Sequence, residues 1–265
     1  CGAGPNTPGA RHPAPANWPQ IRRVLKMTRS HPAEDAPEDD LPLPEAPAES
    51  EPELPDREYG RWLFAQQCGF VAGVQSMAQL PEFALPEVVF AGRSNVGKSS
   101  LVNALTGQNT LARTSNTPGR TRQLNFFDLG SRLLLVDLPG YGYAKAPKTE
   151  IKRWTEVTQD YLRGRPTLRR VCLLIDARRG VRDTDREVMR ALDTAAVSYQ
   201  LVLTKADKVK QPELAQVIDA TQDLRPKHVA LHPRIATTSA QKDTGIAELR
   251  AELAALASET PYQEG

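Results

Sequence analysis

The sequence predicts an α/β fold in which a doubly wound, mostly parallel six-stranded sheet carries one antiparallel hairpin strand and follows a disordered N-terminal extension. Two observations predict the sheet. Between residues 87 and 257, short apolar runs of strand length alternate with stretches of helical periodicity. The runs are rich in Val, Leu and Ile without polar alternation, which is typical of strands covered on both faces. Ligands of such sheets bind at the carboxyl ends of the strands.

The N-terminal extension is set apart by its composition. Residues 1–57 hold 12 of the 22 prolines and show no sustained apolar periodicity, so we expect them to be disordered and residues 58–265 to form the folded domain. Residues 1–30 contain five basic residues and no acidic one, whereas residues 31–57 contain ten acidic residues and one basic residue. The chain begins at Cys1, and Met27 would be a natural start.

Charge differs between the extension and the predicted domain. Residues 1–57 have a net charge of −4, and residues 58–265, with 28 basic and 22 acidic residues, have a net charge of +6. A basic face suits a polyanionic partner such as RNA, but ordinary surface charge explains the same excess about as well.

Several classes of protein are disfavoured. The three cysteines show no C-x-x-C spacing and no neighbouring histidine cluster, which argues against a disulfide framework and a zinc site. No apolar run approaches the roughly 20 residues of a membrane span, and no signal-peptide pattern is present. We therefore expect a cytoplasmic protein without a membrane partner. We also expect a monomer.

The elements of the first half follow from local patterns. Apolar positions between residues 59 and 80 allow a short helix and an edge strand. A strand is predicted over 87–91 and a helix over 99–105, with Gly107 as its C-cap. Strands over 121–128 and 132–137 flank Asp128-Leu129-Gly130-Ser131, which is a good hairpin turn.

The second half alternates more regularly. Helical patterns are predicted near 149–162 and over 183–196, 212–224 and 245–257, and strands over 170–176, 200–204 and 234–238. The alternation of strand and helix predicts parallel pairing for these strands.

The stretch that follows the first sheet strand has the spacing of a phosphate-binding loop. Gly92 to Ser99 fit the pattern G-x-x-x-x-G-K-S/T, in which the backbone amides curl around nucleotide phosphates at the start of a helix. Lys98 would reach the β- and γ-phosphates, and the Ser99 hydroxyl would bind Mg²⁺. The alternative is a glycine turn that contains a lysine by chance. The strand before the loop and the helix after it favour the phosphate-binding loop.

Two further motifs come directly after predicted strands. Asp137-Leu138-Pro139-Gly140 can hold Mg²⁺ through water and bring a backbone amide to the γ-phosphate, although alone it is a common turn. In Thr204-Lys205-Ala206-Asp207-Lys208, the aspartate can accept both N–H groups of guanine while the lysine stem covers the base. Thr238-Ser239-Ala240 can complete the base pocket with a backbone amide.

A polar loop over residues 113–122 separates the first helix from the hairpin. Such a loop can order around a γ-phosphate and contribute a threonine hydroxyl to Mg²⁺, for which Thr121 is the first choice and Thr117 the second. Arg113, Arg120 and Arg122 lie in the same loop and are either solvated or in contact with RNA phosphates.

These motifs, in this order and spacing, closely resemble the EngB GTPases of the TrmE–Era-type class over residues 59–256, and Asp137-Leu138-Pro139-Gly140-Tyr141-Gly142-Tyr143-Ala144 is the most distinctive stretch. The resemblance implies a P-loop GTPase that converts GTP and water to GDP and phosphate. It also implies a role in assembly of the large (50S) ribosomal subunit, with its rRNA and precursors as partners, and in cell division and septation. It does not extend to residues 1–57.

The resemblance implies Mg²⁺ ligation by Ser99 and Thr121 and catalytic roles for Lys98, Thr121 and Asn95. The nucleotide contacts it implies are Gly92, Arg93, Ser94, Asn95, Val96, Gly97, Lys98, Ser99, Gly119, Arg120, Thr121, Arg122, Gln123, Asp137, Leu138, Pro139, Gly140, Thr204, Lys205, Ala206, Asp207, Thr238, Ser239 and Ala240.

Two positions bear on the rate of hydrolysis. Tyr141 stands where many signalling GTPases place a glutamine that orients water, so we expect slow intrinsic hydrolysis. Asn95 either shapes the loop or helps to hold K⁺ near the phosphates; equal turnover in K⁺ and Na⁺ would remove the potassium role. The alternative functions are a P-loop ATPase or kinase, against which Asp207 argues, and a regulatory RNA-binding scaffold that acts away from the ribosome.

Overall fold

The computed structural model describes residues 56–82, 84–108, 111, 123–141, 158 and 160–260. All of them belong to the compact unit Glu51–Gly265. The predicted extension up to residue 55, the whole polar loop over 113–122 and most of the helix near 149–162 lie outside these residues. The division of the chain at residue 57 therefore stays a prediction.

The described elements begin with helix α1 (Arg57–Phe64), whose first turn is capped by the Asp56 carboxylate. In chain order there follow β1 (Cys68–Val74), β2 (Glu87–Gly92), α2 (Lys98–Thr106), β3 (Leu124–Leu129), β4 (Leu133–Asp137), β5 (Leu168–Asp176), α3 (Asp183–Thr194), β6 (Tyr199–Thr204), α4 (Gln211–Gln222), β7 (Ala236–Thr237) and α5 (Ile246–Ala254). Residues 160–164 are also helical.

The strands form one seven-stranded sheet in the order β1-β3-β4-β2-β5-β6-β7. Strand β3 pairs antiparallel with both β1 and β4, and every other described pairing is parallel. The predicted α/β class and the single antiparallel hairpin strand are confirmed. The count of six strands was one short, because the edge strand β1 contains two glycines and exposes Phe70, which leaves a weak strand pattern.

Element boundaries differ from the predictions mainly near the ends of the sheet. The strand predicted over 234–238 is reduced to Ala236–Thr237, which pairs with Val202 and Leu203 of β6. Contact with β6 begins earlier, at the isolated parallel bridge between Tyr199 and Leu231, but Pro233 has no backbone N–H to donate and interrupts the ladder before Ala236. The helix predicted over 245–257 ends at Ala254.

Two apolar layers cover the sheet. One contains Phe126, Met189 and Leu214 and lies under α3 and α4, and the other contains Leu63, Leu101 and Leu249 and lies under α1, α2 and α5. The central strands β2, β4 and β6 are buried along their whole length, as expected for parallel strands between two helical layers. None of the helices in the described ranges is long and apolar enough to cross a lipid bilayer.

A buried carboxylate anchors the amino end of β2. Glu87 is fully buried and accepts hydrogen bonds from Tyr161 Oη at 2.5 Å, Arg165 Nε at 2.7 Å and Thr167 Oγ1 at 2.7 Å. Burial, and then the charge of Glu87, raises the pKa of the Tyr161 hydroxyl, so it remains a donor. This network ties the helical residues 160–164 to the sheet.

Replacing Tyr161 by Phe is expected to lower the free energy of unfolding by about 1.5–3 kcal/mol, because it removes one donor from a buried carboxylate. Urea unfolding would measure the change. Tyr199→Phe is the matched control, since that ring is equally buried and its hydroxyl is 3.4 Å from either Asp193 oxygen. Equal losses in the two variants would mean that the bond to Glu87 adds no more stability than the longer contacts from Tyr199 to Asp193.

Candidate functional site

The loop between β2 and α2 has the backbone of a cradle. Asn95 and Gly97 both have positive φ, 64° and 108°, and Gly97 directly precedes the first residue of α2. This conformation is the one that glycine adopts without strain, which explains the glycine at position 97. Because the first amides of a helix have no partners within it, the loop and α2 together present donors and a positive dipole to an anion.

Lys98 and Asp137 meet at the base of this cradle. Asp137 ends β4, pairs in register with Phe90 of β2, and forms an ion pair with the Lys98 ammonium. Both side chains are largely buried, with 10% and 7% of their surfaces exposed. The ammonium and the carboxylate neutralise each other inside the protein. A nucleotide phosphate would compete for Lys98 and its metal ion for Asp137.

The segment after Asp137 is bonded to the phosphate loop. The Ser94 amide donates to the Tyr141 carbonyl at 3.0 Å, and the Tyr141 amide donates to the Gly92 carbonyl at 3.2 Å. Gly140 is needed here because a Cβ at this position would lie 2.9 Å from the Ser94 backbone. The backbone at residues 140 and 141 is thereby fixed against the phosphate loop.

The Tyr141 side chain is held away from a water-orienting role. Its hydroxyl donates to the buried Asp185 carboxylate at 2.7 Å, and the other oxygen of Asp185 accepts from the Arg182 amide at 2.9 Å. Burial, and then the charge of Asp185, raises the pKa of the tyrosine. The phenol is therefore a fixed donor to α3 rather than a base.

Lys205 joins the strand β6 to the phosphate loop. It has φ of 58°, and its ammonium donates to the Asn95 carbonyl at 2.7 Å and to Asp176 at 3.0 Å. Arg178 binds both oxygens of Asp176, at 2.9 and 2.6 Å. Burial alone would raise the pKa of Asp176, but the hydrogen bonds from Arg178 and Lys205 outweigh it and lower the pKa to about 2.

Asp207 and Ser239 are brought together from two strand ends. Ser239 Oγ donates to Asp207 Oδ1 at 2.6 Å, and the Ala206 amide donates to the Thr238 carbonyl at 3.1 Å. The serine hydrogen bond holds the pKa of Asp207 below its ordinary value. Oδ2 is buried without a hydrogen bond of suitable geometry among the described residues, although the Lys208 ammonium lies 3.1 Å away. Ser239 thus holds one oxygen of the carboxylate and the Lys208 ammonium lies beside the other, which fixes Asp207 at the strand ends.

Most of the predicted site residues lie at the carboxyl edge of the sheet. The phosphate loop, Asp137 to Gly140, Thr204 to Asp207 and Thr238 to Ala240 follow β2, β4, β6 and β7 in turn. Gln123 precedes the antiparallel β3 and hydrogen-bonds Asn125, which is opposite Asp137. Outside the described residues are Arg113, Thr117, Gly119, Arg120, Thr121 and Arg122.

Sequence reasoning missed two acidic residues that organise the site, Asp176 and Asp185. Asp176 ends a predicted strand just as Asp137 does, which was a usable signal. Asp185 looked like an ordinary residue in the first turn of a helix, and its bond to Tyr141 spans 44 positions of sequence.

The donor set at Ser99 and Asp137 suits Mg²⁺. A hydroxyl and a carboxylate are hard oxygen ligands, and Mg²⁺ in nucleotide sites takes most of its other ligands from phosphates and water. Across the described ranges no group of three or more His, Cys, Asp or Glu residues could hold a metal by itself. A magnesium ion here would depend on a phosphate ligand.

The phosphate-loop sequence between β2 and α2, with Asp137 at the end of β4 and Asp207 after β6, is the arrangement of a P-loop GTPase. Two family models match the chain: "50S ribosome-binding GTPase" over residues 87–205 and "Elongation factor Tu GTP binding domain" over residues 158–259.

The chain is 59% identical to the probable GTP-binding protein EngB of Rhodospirillum rubrum, over 82% of this chain and 98% of the relative. It is 53% identical to the EngB protein of Ruegeria sp., over 82% of this chain and 99% of the relative. With such similarity over nearly the whole length of both relatives, the chain belongs to the EngB family of GTP-binding proteins.

Solved structures agree on the fold. A probable GTP-binding protein EngB matches with a TM-score of 0.51 at 23% identity, over 64% of this chain and 97% of that one. Era in complex with MgGDPNP and nucleotides 1506–1542 of 16S ribosomal RNA matches with a TM-score of 0.55 at 22% identity, over 68% of this chain and 59% of that one. At these identities the likeness establishes the architecture alone.

Proposed function

We propose that this protein is a guanine-nucleotide switch that hydrolyses GTP and acts in assembly of the large ribosomal subunit. One observation carries the proposal: the Lys98–Asp137 pair and the Asp207–Ser239 pair lie at the same edge of the sheet, where a phosphate site and a guanine site are required. Membership of the EngB family supports it.

In the proposed complex, the amides of residues 92–99 and the Lys98 ammonium bind the phosphates. Asp207 accepts from guanine, the Lys205 stem covers the base, and Ser239 fixes the carboxylate in place. Ser99 and Thr121 would hold Mg²⁺, with Asp137 acting through water. When bound, the ion neutralises charge on the phosphate oxygens.

We propose that hydrolysis is slow without a partner. The geometry of Tyr141 supports this, because its hydroxyl is bound to Asp185 and its backbone to the phosphate loop. Lys98 and Thr121 would stabilise charge at the γ-phosphate. The Asn95 side chain is exposed on the loop, in a place compatible with either holding K⁺ or shaping the turn.

The proposed partner is a precursor of the large ribosomal subunit and its rRNA. The matching family model carries the description "50S ribosome-binding GTPase". The net charge of +6 on residues 58–265 suits such a polyanion. We also propose the roles in cell division and septation that the resemblance implies, and a cytoplasmic monomer.

Sedimentation of the purified protein with large-subunit particles from the native cell would test the proposal. We expect co-sedimentation with the GTP analogue GPPNHP and release with GDP. The Asp207→Asn protein is the control. Because it should bind neither GPPNHP nor GDP, it should not sediment with the particles in the presence of either nucleotide. Binding that is absent in every nucleotide state, from a protein that still binds GTP, would refute the ribosomal half of the proposal.

A further inference from the structure

The positive charge of the folded part is concentrated in one segment. Residues 163–190 contain nine arginines and four acidic residues, a net charge of +5 out of the +6 carried by residues 58–265. The segment runs from the end of the helical residues 160–164 through β5 and into α3. If the charged residues served only solubility and were spread evenly, these 28 residues would not carry nearly all of the net positive charge of residues 58–265.

The fold arranges part of this charge on one surface. Arg93, Arg179 and Arg182 line the same hollow of about 260 Å³, which lies between the phosphate loop and the start of α3. Arg182, Arg186 and Arg190 follow at intervals of four residues, so they lie along one face of α3, about 6 Å apart along its axis. We call these five residues the arginine surface.

The side chains of the arginine surface have no ion-pair partner among the described residues. Two acidic groups beside them are already engaged: Asp176 binds Arg178 and Lys205, and Asp185 binds Tyr141. Asp183 and Glu187 are exposed on the neighbouring face of α3 and reduce the local charge without cancelling it. The guanidinium groups are available to an external anion.

We propose that the arginine surface binds the phosphate backbone of RNA. Guanidinium groups match phosphate oxygens with two parallel hydrogen bonds, and a regular row of them suits a chain of repeating phosphates. A protein partner would call for apolar anchors, but the large exposed apolar side chains among the described residues, Trp62, Phe70, Val71 and Val229, all lie outside this surface. The inference rests on the proposed function in taking RNA as the partner.

The same surface is connected to the nucleotide site. Arg93 belongs to the phosphate loop, and Asp176 holds both Arg178 beside the hollow and Lys205, which binds the Asn95 carbonyl. RNA bound along Arg182, Arg186 and Arg190 would reach the rim of this hollow, which predicted nucleotide contacts also line. Since coupling between two binding sites is reciprocal, RNA would change guanine-nucleotide affinity by the factor by which the nucleotide changes RNA affinity.

The test uses the full chain and a fluorescein-labelled 24-nucleotide RNA hairpin, with binding followed by anisotropy from 50 to 200 mM KCl. Each of Arg182→Gln, Arg186→Gln and Arg190→Gln should reduce the slope of log K against log salt by about 0.7–0.9, and the triple variant by about 2 to 3. Arg61→Gln is the matched control, since Arg61 is exposed on α1, over the opposite layer of the sheet. It should leave the slope unchanged.

Binding of GDP by the triple variant, measured beside RNA binding, shows that the variant is folded. An unchanged slope in a triple variant that binds GDP normally would overturn the arginine surface, even if the unmodified protein binds RNA. A triple variant that loses large-subunit particles but keeps the hairpin would overturn it in favour of a ribosomal protein. Failure of the unmodified protein to bind particles or hairpin would instead refute the proposed RNA partner.

Discussion

Replacing Asp207 by Asn is expected to weaken GTP and GDP binding by at least about 100-fold while improving the binding of the xanthine nucleotides. Two charge-assisted hydrogen bonds to guanine are worth about 1.5–3 kcal/mol each, and asparagine would place an N–H group opposite the exocyclic amine of guanine. Xanthine carries an oxygen at that position, which the new amide can donate to. The preference should therefore invert rather than disappear.

Fluorescence titration with labelled GDP and XDP would measure the inversion. Asp219→Asn is a suitable control, because it makes the same chemical change on α4, away from the strand ends. The ordered position of Asp207 matters to this expectation, since Ser239 holds one carboxylate oxygen at 2.6 Å and the Lys208 ammonium lies 3.1 Å from the other. A variant that keeps its affinity for GDP would remove Asp207 from the base pocket.

The fold was largely predictable because its signals are local. Strands such as β2 and β6 contain uninterrupted apolar runs, Val88 to Ala91 and Leu201 to Leu203, and helices such as α3 begin and end within two residues of their predicted limits. Strand β1 was predicted only as an option, because its identity depends on pairing with β3 and not on its own pattern. Tertiary context outweighs local preference in edge strands of this kind.

The motifs of the site could be predicted from the sequence, but the hydrogen bonds between its distant segments could not. A motif is a run of neighbouring residues, so the phosphate loop, Asp137 and Asp207 could be found from spacing. The bonds from Lys205 to Asp176 and from Tyr141 to Asp185 join segments 29 and 44 residues apart. They exist because the sheet brings the ends of β5, β6 and the start of α3 to one edge, which no single segment encodes.

The Lys98–Asp137 pair ties stability of the protein to its ligand. Both groups are largely buried, so each needs the other when no phosphate is present. A bound nucleotide would offer Lys98 a second anion, and a metal ion would offer Asp137 a second cation. Nucleotide binding would then replace the Lys98–Asp137 ion pair by contacts to the phosphate and the metal ion. Because the site is already organised, the main free-energy cost of binding would be the separation of this ion pair.

Replacing Lys98 by Ala is accordingly expected to have two effects. Nucleotide affinity should fall by about 100- to 1,000-fold and GTP turnover should become undetectable, because the cation at the β- and γ-phosphates is lost. The protein without nucleotide should also lose about 3 kcal/mol of unfolding free energy, since Asp137 remains as a buried charge without a partner. Isothermal titration with GDP and urea unfolding would measure the two effects separately.

The double variant Lys98→Ala/Asp137→Asn distinguishes the two roles of the lysine. Removing the second charge should restore most of the lost stability, because a neutral amide is far cheaper to bury than a lone carboxylate. It should restore none of the nucleotide affinity, since the phosphates still lack their cation. A double variant no more stable than Lys98→Ala would show that the ion pair does not stabilise the protein. Normal GTP binding by Lys98→Ala would show that the lysine does not serve the phosphates.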